Sequence, residues 1–216
     1  MIKAFIFDLD GVIVDTVGYH YNSWVKLADS LGYKLDSKIK EKLKGISRMA
    51  SLDLVLSQGN IEASEEQKIK YAEQKNTWYI ESLEDVNDNV VLPGVKEFLL
   101  STRENHIKMA IGSASKNAKS ILAKTSIYDA FNTIKDGNDV KYSKPNPEVF
   151  LKAAKSLRVK PEEAVVFEDS AKGITAAIDG GFKCVGIGKS DVLQDAHIVM
   201  SDLTHISADM IVRLLS

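Results

Sequence analysis

Apolar residues along this chain gather in short continuous runs that stop abruptly at polar loops. Ala4-Phe5-Ile6-Phe7 runs into Asp8-Leu9-Asp10-Gly11, the pattern of a strand buried on both faces that empties into a loop. Three further runs repeat it: Lys108-Met109-Ala110-Ile111 before Gly112-Ser113-Ala114-Ser115, Ala164-Val165-Val166-Phe167 before Glu168-Asp169-Ser170, and Cys184-Val185-Gly186-Ile187 before Gly188-Lys189-Ser190. Helical patterns lie between them. Pro93 is expected to open one helix in its first turn, Pro147-Glu148 to open another, and Gly180-Gly181 to close the one that begins near Ser170. Strands alternating with helices predict an α/β fold with a doubly wound, Rossmann-like parallel sheet. In such sheets the loops at the carboxyl ends of the strands form the ligand crevice. That rule gathers Asp8, Asp10, Ser113, Glu168 and Asp169, which are far apart in sequence.

The stretch from Thr16 to Asp88 breaks the alternation, with helical patterns and no convincing strand. Ser64-Glu65-Glu66-Gln67 fits a capping box at the start of a long helix. The expected organisation is an α/β core of residues 1–15 and 89–216 carrying an all-helical cap of residues 16–88. The cap leaves and rejoins just beyond the first strand, so it is expected to cover the crevice, with hinges near Asp15-Thr16 and Val90-Pro93.

At 216 residues the chain is long enough to bury a real core, and 44% hydrophobic with 27% charged residues is an ordinary globular composition. A net charge of -2 supplies no chain-wide basic field for a polyanion, which argues against nucleic acid as a partner. The N-terminus reaches Asp8 and Asp10 after too few apolar positions for a signal peptide, and no run approaches membrane-spanning length, so the expected location is the cytoplasm. Cys184 is the only cysteine and lies in an apolar run, as a buried structural thiol would.

Carboxylates converging at strand ends repel one another unless some stay protonated or a cation neutralises them. Oxygen donors without nearby histidine or cysteine suit magnesium, which takes its remaining ligands from water and phosphate. Asp8 is then the candidate nucleophile, forming an aspartyl-phosphate, and Asp10, two residues along a turning loop, the candidate general acid and base. Lys144 and Ser113 are candidates for stabilising the phosphoryl oxygens. Each also has a plainer reading: Asp8 and Asp10 as turn-forming side chains, Lys144 as a solvated loop lysine, Ser113 as a helix cap, and Glu168-Asp169-Ser170 as a helix N-cap with favourable dipole charge. Their joint occurrence in order, each at the end of a predicted strand or in an adjacent loop, favours chemistry.

Asp8-Leu9-Asp10-Gly11-Val12, Ser113, Lys144-Pro145 and Glu168-Asp169 resemble the four ordered motifs of the haloacid dehalogenase superfamily of phosphotransferases, and the helical insert resembles its small cap. The match spans essentially the whole chain. His20, Trp24, Leu43-Lys44-Gly45-Ile46-Ser47-Arg48 with Ser51, Lys75-Asn76 and Ser113-Ala114-Ser115-Lys116-Asn117 resemble the sugar-phosphate mutases within it. The resemblance implies Asp8, Asp10 through its backbone carbonyl, Glu168 and Asp169 as the magnesium site. It implies Arg48 as the grip on a distal phosphate, with Ala114, Ser115, Lys116 and Asn117 meeting that phosphate or the sugar from the core. Gly45, Ile46, Ser51, Lys75 and Trp24 would form the sugar pocket from the cap, with Thr16 in the hinge and His20 orienting Asp10. Without it, Arg48 and Lys75 read as solvated helix charges and Trp24, spaced helically from Leu27, Ala28 and Leu31, as cap core.

The implied reaction interconverts β-glucose 1-phosphate and glucose 6-phosphate, with β-glucose 1,6-bisphosphate as priming intermediate, in a monomer whose only partner is the small sugar phosphate. A sugar-phosphate phosphatase of the same superfamily is the alternative, since the catalytic motifs serve both. A phospho-accepting regulatory domain fits less well, because it has no evident need for the helical insert. A silent phosphosugar-binding protein would not need both Asp8 and Asp10. His106, His197 and His205 receive no role. Two departures from the pattern, Gly112 in place of alanine and Met49-Ala50 in place of an acidic pair, touch no proposed catalytic atom.

Overall fold

The computed structural model describes residues 1–215. Six parallel strands form one sheet in the order β3-β2-β1-β4-β5-β6. They are β1 (Ala4–Phe7), β2 (Lys108–Gly112), β3 (Thr133–Lys135), β4 (Ala164–Glu168), β5 (Lys183–Ile187) and β6 (Ile198–Met200). β1 is central, and Phe7 lies opposite both Ile111 and Phe167. Three strands therefore end at one level, and the loops after them open side by side.

Side-chain alternation along β1 sorts the core into two layers. Phe5 and Phe7 face one side and pack with Phe98 and Phe167, the Phe7 and Phe167 rings 4.8 Å apart. Ala4 and Ile6 face the other side, with Phe150, Ala153 and Cys184. Helices cover both faces: α4 (Val95–Glu104), α5 (Ala118–Leu122) and α8 (Ala208–Leu215) contribute to the first cluster, α6 (Glu148–Leu157) and α7 (Ala171–Asp179) to the second. Cys184 is buried and unpaired, and its surroundings push its thiol pKa up, chiefly through burial.

Between β1 and α4 the chain forms α1 (Val17–Ser30), α2 (Arg48–Gln58) and α3 (Glu65–Ser82), with short 3-10 turns and no strand among the described residues. Ser64 and Gln67 form the expected capping box of α3. Trp24, Leu27, Leu52, Val55 and Ala72 make a third apolar cluster, distinct from the two around the sheet. The outgoing and returning segments run side by side: Asp15 N–H donates to Val90 O at 2.7 Å, and Leu92 N–H to Ile13 O at 3.0 Å.

One expectation needs correction. Pro93 does not lie in the first turn of a helix: α4 begins at Val95, and Gly94 caps it with φ +78° while packed against the Leu203–Thr204 backbone, an entry only glycine tolerates. β3 and β6 escape the sequence pattern because each is a three-residue, half-buried strand at a sheet edge. No helix of the described residues is long and apolar enough to cross a membrane.

Candidate functional site

The loops after β1 and β2 meet α1, α2 and α3 around a cavity of about 430 Å³. Asp8, Asp10 and the Ser113-Ala114-Ser115-Lys116-Asn117 loop form its sheet side. His20, Trp24, Gly45, Ile46, Arg48, Ser51 and Lys75 form the helical side. Four of the sequence-predicted residues stand behind the wall: Thr16, Lys144, Glu168 and Asp169 are buried and do not line the cavity.

Asp8 directly follows β1, its N–H donating to Phe167 O at 2.9 Å. Lys144 lies beneath it, donating to Asp8 Oδ1 at 2.5 Å and also to Glu168, with no side-chain exposure of its own. Burial pushes the Asp8 pKa well up, and the Glu168, Asp10 and Asp169 charges add to this against the opposing pull of Lys144. For Lys144 burial acts downward, but the two carboxylates outweigh it and hold the amine firmly protonated. Lys144 is thus a buried ammonium locked to the nucleophile candidate, not a solvated lysine.

Asp8, Glu168 and Asp169 each present a carboxylate oxygen, all within 4.8 Å of one another. One lysine bonded to Asp8 and Glu168 does not balance three buried carboxylates. Burial and the Glu168 charge raise Asp169 to about 7, although Lys44 reaches it at 3.1 Å. The backbone leaves space for this crowding: a Cβ on Gly11 would lie 2.4 Å from Asp169 Oδ2, and one on Gly173 would strike the Glu168 carboxylate. An all-oxygen, charge-deficient cradle of this kind fits a hard divalent cation such as magnesium.

Asp10 sits in a different environment. Thr16 donates its hydroxyl to Asp10 Oδ1, and His20 Nε2 lies 3.6 Å from the same oxygen. Burial acts upward on Asp10, but the charge and hydrogen bond of His20, with the Thr16 hydroxyl, hold its pKa below the ordinary carboxylate value. His20 stacks on Tyr79 at 3.9 Å, and its Nδ1 is 3.0 Å from Lys75 Nζ. When Lys75 donates to Nδ1, the ring proton resides on Nε2, facing Asp10. Burial and then the Lys75 charge lower the His20 pKa. Burial and the Arg48 charge bring Lys75 down to about 7.

Loop Ser113–Asn117 is folded on its own hydroxyls. Ser115 N–H donates to Ser113 Oγ at 3.1 Å, and Asn117 N–H to Ser115 Oγ at 3.2 Å. Ser113 N–H is fixed to Lys135 O at 3.0 Å, so β3 anchors the loop. Facing it, Ser47 caps α2 and directs Arg48 inward from the first residue of the helix. Gly45, with φ +68°, brings the preceding turn against Ser170, where a Cβ would meet its Oγ at 2.2 Å. Trp24 does two things: it packs in the helical cluster and its ring carries Lys75 Nζ 4.8 Å from its centroid.

Three residues that received no individual role from sequence also belong here. Lys44 pairs with Asp169, Asn76 accepts from both Arg48 and Asn117, and Tyr79, fully buried, carries the His20 ring. Lys44 and Asn76 adjoin Gly45 and Lys75, which was the one signal available; for Tyr79 the signal was its i+4 spacing from Lys75 on α3.

A family profile described as haloacid dehalogenase-like hydrolase matches residues 5–187. The chain is 36% identical to a β-phosphoglucomutase of Bacillus subtilis (strain 168) over 207 residues, covering 94% of this chain and 92% of the relative. It is 29% identical to a phosphorylated carbohydrates phosphatase of Thermotoga maritima over 84% of this chain and 82% of that one. A crystal structure of β-phosphoglucomutase from Clostridium difficile superposes with a TM-score of 0.95 at 42% identity, covering 100% of this chain and 97% of that one.

Proposed function

The chain belongs to the haloacid dehalogenase-like hydrolase family, and from that premise we propose that it is a β-phosphoglucomutase, interconverting β-glucose 1-phosphate and glucose 6-phosphate. The observation that carries the reading is that one cavity is lined by two unlike polar groups, Asp8 with Asp10 and Arg48 with Asn117, the latter two joined through Asn76; we assign them to its two ends. A phosphatase needs only the first end, whereas a mutase must hold a substrate with a phosphate at each end in either orientation. The kinship to the mutases of Bacillus subtilis and Clostridium difficile supports the same choice.

In the proposed cycle phosphorylated Asp8 transfers its phosphoryl group to the 6-hydroxyl of β-glucose 1-phosphate. Asp10 removes the hydroxyl proton as the oxygen–phosphorus bond forms, and the Asp8 carboxylate leaves. The β-glucose 1,6-bisphosphate so made reorients. Asp8 then attacks the phosphorus at the 1-position, Asp10 returns the proton to the departing oxygen, and glucose 6-phosphate leaves. Lys144 and Ser113 stabilise the transferring oxygens. Thr16 and His20 hold Asp10 aimed into the cavity. Asp8, Glu168 and Asp169, with the Asp10 carbonyl, would hold magnesium, which when bound supplies the positive charge that three buried carboxylates and an incoming phosphate require.

We further read residues 16–88 as a cap on a core of residues 1–15 and 89–216. The paired crossing at Asp15–Val90 and Ile13–Leu92 supports hinges there. Cap closure around a second phosphate would keep water from draining the aspartyl-phosphate. One chain supplies both ends of the cavity, which supports action as a monomer on a small sugar phosphate, and nothing in this chemistry calls for nucleic acid or a site outside the cytoplasm.

The test incubates purified protein with magnesium, β-glucose 1-phosphate and a trace of glucose 1,6-bisphosphate, following glucose 6-phosphate and free phosphate together, beside an Asp8→Ala control. Glucose 6-phosphate far ahead of free phosphate, and absent in the control, is expected. The second reading, a sugar-phosphate phosphatase, is favoured by the Thermotoga maritima relative and would instead release glucose and free phosphate.

A further inference from the structure

Asn76 of α3 accepts two hydrogen bonds on one oxygen. Arg48 Nη2 reaches Asn76 Oδ1 at 2.7 Å from α2, and Asn117 Nδ2 reaches the same atom at 3.0 Å from the loop after β2. Residues 28 and 41 positions away in sequence thus converge on a single carbonyl oxygen, from both sides of the cavity. All three residues line it. Two donors meeting on one acceptor atom is the arrangement a phosphate oxygen would experience between the same groups.

We propose that Asn76 is a placeholder for the distal phosphate: its amide oxygen holds Arg48 and Asn117 together until a phosphate displaces it. This deepens the mutase reading and rests on its assignment of Arg48 and Asn117 to the distal phosphate. The physics turns on the amide being neutral. A guanidinium whose burial lowers its pKa still carries its charge and must not be left without an acceptor, so some oxygen is needed when no ligand is present. A carboxylate would satisfy Arg48 permanently and repel the ligand. A neutral amide satisfies it through a weaker bond that an anionic oxygen outcompetes. Because Arg48 and Asn76 stand on α2 and α3 whereas Asn117 follows β2, the placeholder also bridges the two sides of the cavity, and its release is coupled to ligand arrival.

The neighbouring charges agree with an exchange of this kind. Glu73, one turn before Asn76 on α3, also lines the cavity and attracts Arg48, while Lys75 repels it from within the wall. No hydrogen bond other than these two is made by the Asn76 side chain among the described residues.

The test compares Asn76→Asp and Asn76→Ala with the wild type, using inorganic phosphate as probe and the Asn117 side-chain amide resonances as reporter, in the presence of a chelator. Phosphate is expected to shift those resonances in the wild type. Asn76→Asp should weaken that binding by about tenfold or more, while Asn76→Ala, which removes the competing acceptor, should tighten it by about threefold or more. In turnover the same asymmetry should appear in KM for β-glucose 1-phosphate, with kcat changed little. Wild-type affinity in Asn76→Asp overturns the proposal, as do equal losses in both variants, which would make Asn76 a structural residue only, and as does a wild type whose Asn117 signals ignore phosphate. A wild type that releases free phosphate instead of glucose 6-phosphate would reject the mutase reading and leave the phosphate titration as an independent result.

Discussion

Lys144 and Asp8 form an ion pair 2.5 Å long in which neither side chain is more than 6% exposed. Glu168 accepts from the same ammonium. Breaking such a group by removing one partner leaves the others charged and buried, which typically costs about 3–5 kcal/mol. Lys144→Met should therefore lose stability on that scale in urea denaturation with chelator present. Lys144→Met combined with Glu168→Gln should recover much of it, because one stranded charge is gone, yet remain without phosphoryl transfer. Wild-type stability in the single variant would show that the pair does not hold the strand ends together.

Arg48 lines the same cavity as Asp8 and donates to Asn76 at 2.7 Å. Arg48→Ala is expected to lower mutase kcat/KM by on the order of 10²–10³, the loss of a charge-assisted contact to phosphate. Hydrolysis of a small activated phosphate ester, which has no second phosphate, should fall far less. Equal losses in the two assays would remove Arg48 from reaction choice.

The sheet and the carboxylate cluster were legible in the sequence because each depends on local pattern. Phe5 and Phe7 alternate with Ala4 and Ile6 in a run too apolar for any exposed element, and the loop that follows must lie at a strand end. β3 could not be read, since Thr133-Ile134-Lys135 is flanked by polar residues and half-exposed; its existence follows from pairing with β2, a tertiary fact. Asn76 was similarly opaque. Its meaning lies in two partners on other elements, and an asparagine on a charged helix carries no sign of them.

Lys75 gives the fold a pH dependence of defined sign. Burial and Arg48 bring its folded pKa to about 7, far below the ordinary lysine value, so between about pH 7 and 10 the unfolded chain binds the extra proton. This group's penalty is complete below pH 7, where lysine is charged in both states, and is relieved as pH rises through that window. The difference in unfolding free energy between Lys75→Met and wild type should therefore shrink from pH 6 to pH 10 by on the order of 2–4 kcal/mol. Urea midpoints across that range measure it, and a difference independent of pH would mean that Lys75 is as readily charged inside as outside.

Gly137 fixes the position of the Ser113–Asn117 loop by what it lacks. Its N–H donates to Ser115 O at 3.1 Å, and the adjoining Asn138 amide donates to Lys116 O at 2.9 Å, so the turn after β3 grips the Ser113–Asn117 loop through two backbone carbonyls. Asp136 accepts Asn138 N–H at 2.8 Å and holds that turn in shape. A Cβ on Gly137 would stand 2.5 Å from Ala114 O and 3.0 Å from Lys116 Cγ. The first of these atoms is backbone and cannot swing aside, so Gly137→Ala must push the loop away from the turn. The cost of such overpacking is about 1–3 kcal/mol. The displacement falls on Ser115, Lys116 and Asn117, the residues proposed to meet the distal phosphate, while Asp8 and Lys144 keep their own contacts. KM for β-glucose 1-phosphate should rise by about tenfold with a smaller change in kcat, the signature of lost uniform binding. A variant with wild-type KM, in a crystal structure whose loop has not moved, would show that the turn and the loop are not mechanically coupled.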